Sequence, residues 1–209
     1  MRSVQDVLSS IPTIHSIQDL EVLCDSVGLI GDKTKALINV GSYRGGSSAA
    51  LLIGMDLYSV TGELSIVGQF RYHSPGGPAA AIPTLDAIFR ERNIVWTDSF
   101  LGETKANVAK FSGDRKVNFF QGFSDDINLD LIGGTSLIFL DADHSIHGCL
   151  LDILKYTQKL VAGGVLVLHD CVPSSSVDKA LQVFLTIRPT FKADGLIKEG
   201  SSIVRVWKG

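Results

Sequence analysis

Lys35–Leu52, KALINVGSYRGGSSAALL, is the stretch from which the fold is read. Ala36-Leu37-Ile38, with Val40 just beyond, reads as a buried strand that stops at Gly41. Ser42-Tyr43-Arg44-Gly45-Gly46 then turns the chain, and a helix-forming run begins near Ser47 and Ser48. Strand, glycine turn and helix start together make a cradle of nucleoside or nucleotide size. The glycines let the backbone approach a ligand, and the unpaired N–H groups of a first helical turn attract negative charge. The spacing narrows the ligand. Ser42-Tyr43 follows Gly41, so the second glycine that a pyrophosphate needs is absent, and no GK[ST] follows. NAD, FAD and ATP are disfavoured, and a nucleoside cofactor without a pyrophosphate fits.

Working outward, the same alternation recurs. Val4 to about Val27 reads as a helix, making residues 1–34 an N-terminal helical segment. Glu63–Val67 reads as a second strand ending at Gly68-Gln69. RYHSPGGPAAAIP, Arg71 to Pro83, reads as a mobile loop, and Leu85–Arg92 as a short helix; residues 71–98 are the candidate substrate lid. A helix from about Ser99 to Phe111, with Asp98 able to cap it, leads to a strand at Val117–Phe120. Ser136–Leu140 is a buried strand stopping on Asp141-Ala142-Asp143-His144. A helix from about Gly148 to Val161 closes at Gly163-Gly164, Val165–Leu168 is a strand stopping on His169-Asp170, and a helix spans Val177–Ile187. Gly195–Lys198 and Ser202–Trp207 read as a closing antiparallel pair. Strands alternating with helices through glycine turns predict a parallel sheet covered on both faces, in a single domain over residues 1–209.

Composition sets the remaining bounds. An apolar fraction of 45% and a charged fraction of 20% are ordinary for a globular chain, and a net charge of −3 without a dense Lys/Arg cluster disfavours nucleic acid as a partner. The three cysteines, Cys24, Cys149 and Cys171, show no CxxC pairing and are odd in number, which favours a reducing compartment. No signal-like apolar core opens the chain and no apolar run is long enough to span a bilayer. A cytoplasmic protein with no membrane partner is the expectation.

Four strand tips are polar or small: Gly41-Ser42, Gly68-Gln69, Asp141–His144 and His169-Asp170. In an open α/β sheet ligands bind beyond the carboxyl ends of the strands, so these tips should converge on one crevice. Each Asp taken singly also reads as a cap of the helix that follows.

NVGSYRGGSSAALL and FLDADHSIHGCLLDILKYTQKLVAGGVLVLHD, with the order of the strands, resemble class I S-adenosylmethionine-dependent methyltransferases. The likeness is to the small O-methyltransferases of the catechol and caffeoyl-CoA type and to the related group reading DGDHSY. It implies an α/β, Rossmann-like, doubly wound, mostly parallel seven-stranded sheet with an antiparallel edge strand and helices on both faces. It also implies O-methylation of a small hydroxylated acceptor, S-adenosylmethionine as cofactor, and a divalent cation, Mg²⁺ or Mn²⁺; a homodimer is the assembly it allows. By that resemblance Gly41, Ser42, Tyr43, Gly45 and Ser47 line the methionine and ribose side of the cofactor, and Gly122, Phe123 and Ser124 border the adenine. Asn39 and Gln69 stand where relatives carry acids toward the cofactor, and Asp141 and Asp143 complete that set. Asp141 and Asp170 match the metal-holding carboxylates, with His169 as a further ligand. His144, in the place of the catechol-type lysine, is the expected base, with Asp141 beside it. A histidine titrates near neutral pH, which suits a proton acceptor. His15 reads as structural, His147 as solvent-facing, and His73 as a lid residue. Two other outcomes on this scaffold are a non-catalytic binding protein and a metal-dependent hydroxylase.

Overall fold

The computed structural model describes residues 2–70, 99–195 and 197–209. The loop to Pro83, the helix from Leu85, the lid with His73 and the Asp98 cap all lie outside the described residues.

Near the N-terminus the single expected helix is two, α1 (Val4–Ser10) and α2 (Ile17–Val27). Pro12 is the cause: its ring disfavours helical backbone at the preceding residue, and Ile11 is extended at φ −129°, ψ 124°. Ser16 restarts the helix by a reciprocal cap. Its hydroxyl accepts the Asp19 N–H at 3.0 Å while the Asp19 carboxylate accepts the Ser16 N–H at 3.2 Å.

The chain continues through β1 (Ala36–Val40), α3 (Gly46–Leu57), β2 (Leu64–Gly68), α4 (Leu101–Ser112) and β3 (Val117–Gln121). After a 3₁₀ turn at Leu129–Leu131 come β4 (Thr135–Leu140), α5 (Ile146–Tyr156), β5 (Leu160–Leu168), α6 (Ser176–Ile187), β6 (Phe191–Ala193) and β7 (Val204–Lys208). The seven strands form one sheet in the order β3-β2-β1-β4-β5-β7-β6. The first five are parallel; β7 runs antiparallel to β5, and β6 pairs antiparallel with β7 at the edge. The closing pair is present, but its first member is Phe191–Ala193, not Gly195–Lys198.

A second boundary also moves. The helix expected to reach Val161 ends at Tyr156, and Leu160 already pairs with Thr135 in the sheet. Two steps along β4, from Thr135 to Leu137, are matched by five along β5, from Leu160 to Val165. Gly163, at φ +69°, absorbs the excess as a bulge.

Alternation along the strands divides the core. Leu37, Leu64, Leu137, Phe139, Val165 and Val167 pack with residues of α1 to α4 on one face. Ile38, Val40, Ile138, Leu140, Leu166 and Leu168 pack with α5 and α6 on the other. Side chains of period two on fully buried strands feed both layers, which is why the strands read as continuous apolar runs. The chain leaves β1 toward β2 on one side, while β4 lies on the other. Their tips therefore part at the point where ligands bind in such sheets. There the Asp141 N–H donates to the Val40 carbonyl at 2.8 Å. Gly41 holds φ +94°, and a Cβ on it would run into the Asp141 carbonyl. No helix among the described residues is long and apolar enough to cross a membrane.

Candidate active site

The glycine turn after β1 is braced from below and from the side. Asn39, fully buried on β1, donates through Nδ2 to the hydroxyls of Ser47 at 2.9 Å and Ser48 at 2.7 Å, and Ser42 Oγ lies 3.1 Å from Ser48 Oγ. From α4, Thr104 donates to the Tyr43 carbonyl at 2.9 Å and Asn107 to the Arg44 carbonyl at 3.0 Å. Gly45 caps α3 in the left-handed region at φ +96°. These bonds fix the course of the turn, and the Gly41 N–H donates to the Val67 carbonyl at 2.9 Å.

Beyond the strand tips lies a crevice of about 800 Å³. Gly41, Ser42 and Tyr43 line it from β1, and Gln69 from β2. Gly122, Phe123 and Ser124 line it from the turn after β3, and Asp141, Asp143 and His144 from the end of β4. Asn39, Gly45 and Ser47 are not on its wall; Asn39 and Ser47 are buried beneath the turn that makes it. Phe123 is 46% exposed and presents an apolar face, while Gln69 Oε1 is buried and has no hydrogen-bond partner among the described residues. His147, expected to face solvent, is exposed but lies on the first turn of α5 along the crevice wall. Asp143 accepts the Ser145 N–H at 2.7 Å, and a Cβ on Gly148 would run into its carboxylate, so that glycine makes room for it.

Asp141 is the centre of a cluster of imidazoles and carboxylates. Only 7% of its side chain is exposed, and three imidazole nitrogens reach it at 3.1 Å each: His15 Nε2 on Oδ2, with His144 Nε2 and His169 Nδ1 on Oδ1. His169 Nδ1 also lies 3.4 Å from Asp170 Oδ1, and His144 Nδ1 lies 3.5 Å from Asp170 Oδ2. His169 Nδ1 thus touches both Asp141 and Asp170, while the two carboxylates meet only through the imidazoles between them. His169 is buried, however, and does not line the crevice, whereas His144 is 47% exposed on its wall. Asp170 holds φ +53°, an uncommon backbone for a residue with a side chain. The Ser202 hydroxyl, 3.4 Å from its Oδ1, and the Asp170 N–H, 3.3 Å from that hydroxyl, keep it there.

The charges are strongly coupled. Burial opposes ionisation of Asp141, but His169 and the hydrogen bonds from all three imidazoles outweigh it and hold its carboxyl well below the usual range. Burial likewise opposes protonation of His169, and Asp141, Asp170 and Asp19 overcome it, so its pKa stands well above that of an ordinary histidine. The hydrogen bond to Asp141 raises His144 against its partial burial. Asp170 is lowered chiefly by its bond from His169.

In the sequence His15 reads only as structural, and nothing sets Asp19 apart as a site residue. His15 sits between Pro12 and the Ser16 cap, and the cap alone accounts for Asp19. In the fold Asp19 Oδ1 accepts from the Ser201 hydroxyl at 2.8 Å and the Ser202 N–H at 3.0 Å, and its Oδ2 lies 3.5 Å from His169 Nε2.

Residues 38–171, most of the chain, match the family model described as a methyltransferase domain. No curated protein matches the chain in sequence. Among solved structures, the O-methyltransferase NovP is 18% identical with a TM-score of 0.69, over 94% of this chain and 81% of that one. The TDP-rhamnose 3'-O-methyltransferase CalS11 is 12% identical with a TM-score of 0.62, over 99% and 92% of the two chains. The O-methyltransferase from Bacillus cereus in complex with SAH is 15% identical with a TM-score of 0.60, over 98% and 90%. The matched family, the strand order and the crevice at the parting of β1 and β4 agree, and the chain belongs to the class I S-adenosylmethionine-dependent methyltransferases.

Proposed function

We propose that the chain is an S-adenosylmethionine-dependent O-methyltransferase that acts on a small hydroxylated acceptor, with His144 as the proton acceptor. The observation that carries this reading is His144 itself, half-exposed on the crevice wall with Nε2 on Asp141 and Nδ1 beside Asp170.

The residues present suit the cofactor. Gln69 Oε1 at the tip of β2, buried and without a hydrogen-bond partner among the described residues, wants a hydroxyl donor, which a ribose provides. The half-exposed Phe123 offers an apolar surface for a base, and Gly41, Ser42 and Tyr43 of the braced turn line the crevice. S-adenosylmethionine, when bound, supplies an electrophilic methyl group on a sulfonium. What this chain adds is alignment and proton handling. Asp141 fixes the His144 ring and the tautomer with a proton on Nε2, which leaves Nδ1 to take the acceptor's hydroxyl proton. The imidazolium so formed lies between the carboxylates of Asp141 and Asp170, each of which stabilises it. The crevice contributes by holding donor and acceptor in line.

The donor set also suits a divalent cation at the crevice edge. Asp141 and Asp170 can each place a carboxylate oxygen there, within 4.8 Å of the other, and the His144 ring between them is kept for the proton. The two carboxylates, Asp170 half-exposed and Asp141 behind it, match the oxygen preference of Mg²⁺ or Mn²⁺, and such an ion would help orient the acceptor oxygen.

Calorimetry with S-adenosylhomocysteine tests the reading. Saturable binding with a Kd of roughly micromolar order is expected. No heat at millimolar ligand defeats it.

A further inference from the structure

We infer that His15, Asp141 and His169 form a buried transition-metal site behind the crevice wall, one that takes Zn²⁺, Co²⁺ or Fe²⁺ in preference to Mg²⁺. This goes beyond the methyltransferase reading and stands whether or not methyl transfer is the reaction.

The first support is spacing. One donor atom from each of the three residues lies within 4.8 Å of the others. His15 Nε2 is 3.1 Å from Asp141 Oδ2, and His169 Nδ1 is 3.1 Å from Asp141 Oδ1. Ligands about 2.1 Å from a metal stand about 3 Å apart at right angles and about 3.4 Å apart in the tetrahedral geometry of Zn²⁺, so the observed spacings fall near the edge of a coordination shell as well as in the range of a hydrogen bond. The two rings meet edge to face with centroids 4.7 Å apart, and Phe139 packs against both at 6.0 and 6.2 Å.

The second support is independent and concerns the far nitrogen of each ring. A metal-bound histidine presents its other N–H to a carboxylate, carbonyl or similar acceptor, which sets its tautomer and orientation. His15 Nδ1 lies 3.0 Å from the Thr13 hydroxyl. His169 Nε2 is buried, has no hydrogen bond among the described residues, and points at Asp19 Oδ2 from 3.5 Å. Asp19 is itself held by Ser16, Ser201 and Ser202, so the acceptor is in place before any ion arrives. Thr13 is fixed too: it packs where a Cβ on Gly46 would otherwise sit. Both rings therefore have an outer partner, and both inner nitrogens converge on one carboxylate.

Ligand type sets the metal. Two imidazoles and one carboxylate suit Zn²⁺, Co²⁺ or Fe²⁺, whereas Mg²⁺ wants oxygen and keeps its waters. The inner trio shares only Asp141 with the oxygen-rich edge formed with Asp170.

The test is titration of the chelator-stripped full chain with Co²⁺, followed by visible absorption, with Zn²⁺ and Mg²⁺ as competitors. One equivalent of Co²⁺ should give a ligand-field spectrum that Zn²⁺ removes and millimolar Mg²⁺ does not. His15→Gln should abolish the spectrum. Asp19→Asn should weaken Co²⁺ affinity about ten- to hundredfold, the usual cost of losing such an outer partner. Asp170→Asn should leave the spectrum in place. Absence of the spectrum in the wild-type chain, or its survival in His15→Gln, overturns the proposal. So does its loss in Asp170→Asn, which would put the ion at the outer edge. If His15→Gln does not fold, Zn²⁺ should still raise the wild-type Tm more than that of Asp19→Asn, and equal shifts overturn the site. S-adenosylhomocysteine binding, measured on the same samples, fails or succeeds separately.

Discussion

Gln69 follows β2 with an amide where methyltransferase relatives place an acid, and its oxygen is buried in the crevice without a hydrogen-bond partner among the described residues. A hydrogen bond to a charged acceptor is about twice as strong as one to a neutral acceptor. Gln69→Glu is therefore expected to tighten S-adenosylhomocysteine binding about five- to tenfold, and Gln69→Ala to weaken it about fivefold, by calorimetry. Unchanged affinity in both variants would remove Gln69 from the cofactor's reach. Gln69, Asp141 and His144 were legible in the sequence because each lies at the end of an apolar run, and strand ends in such sheets face one way. His15 and Asp19 were not. No periodicity links residues 126 apart, and the local roles of both, beside a proline and within a helix cap, already explained their presence.

Among elements, α3 depends on a tie that propensity does not describe. It begins with Gly46-Ser47-Ser48 and is capped by Gly45, which offers no side-chain acceptor. Its first turn is held instead by Asn39 on β1, through two bonds to serine hydroxyls. Asn39→Ala removes both and leaves buried hydroxyls to find new partners, at a cost of about 2–3 kcal/mol. The urea midpoint should fall, and amide exchange in the first turn of α3 should quicken more than elsewhere. Uniform exchange across the variant would show that the tie is not local. The strands and most helices were readable from apolar period and glycine punctuation, since burial on both faces leaves little ambiguity. Where reading failed, a tertiary partner decided. Leu160-Val161 continue the apolar run of α5, and only the pairing with Thr135, across the bulge at Gly163, claims them for β5. Pro12 did mark the break between α1 and α2, but the apolar pattern on either side of it hid the interruption.

At the scale of the whole molecule, the Asp/His cluster is where distant parts of the chain are joined. Asp19 and His15 come from the N-terminal segment, Asp141 and His144 from the end of β4, His169 and Asp170 from the end of β5, and Ser201 and Ser202 from the approach to β7. Its protonation should therefore be visible in global stability, in metal-free protein. Asp19, Asp141 and Asp170 have folded pKa values below their ordinary ones. The unfolded chain then binds more protons on the acid side, so the stability these groups give is present above about pH 4 and is lost as pH falls below it. His144 and His169 have folded pKa values above their ordinary ones, His169 far above. The folded chain then holds more protons, so their contribution is full below about pH 6.5 and is lost as pH rises through the raised values. The two signs together give a plateau between roughly pH 4 and 6.5, with stability falling on both sides. Thermal unfolding in the presence of chelator should show a Tm that is highest in that window and lower at pH 8. Asp141→Asn removes the charge common to both arms, so it should lower the plateau and flatten the alkaline decline. A wild-type Tm that keeps rising from pH 5 to pH 8 would mean that His169 is not held protonated, and that the carboxylates around it do not act as its counter-ions.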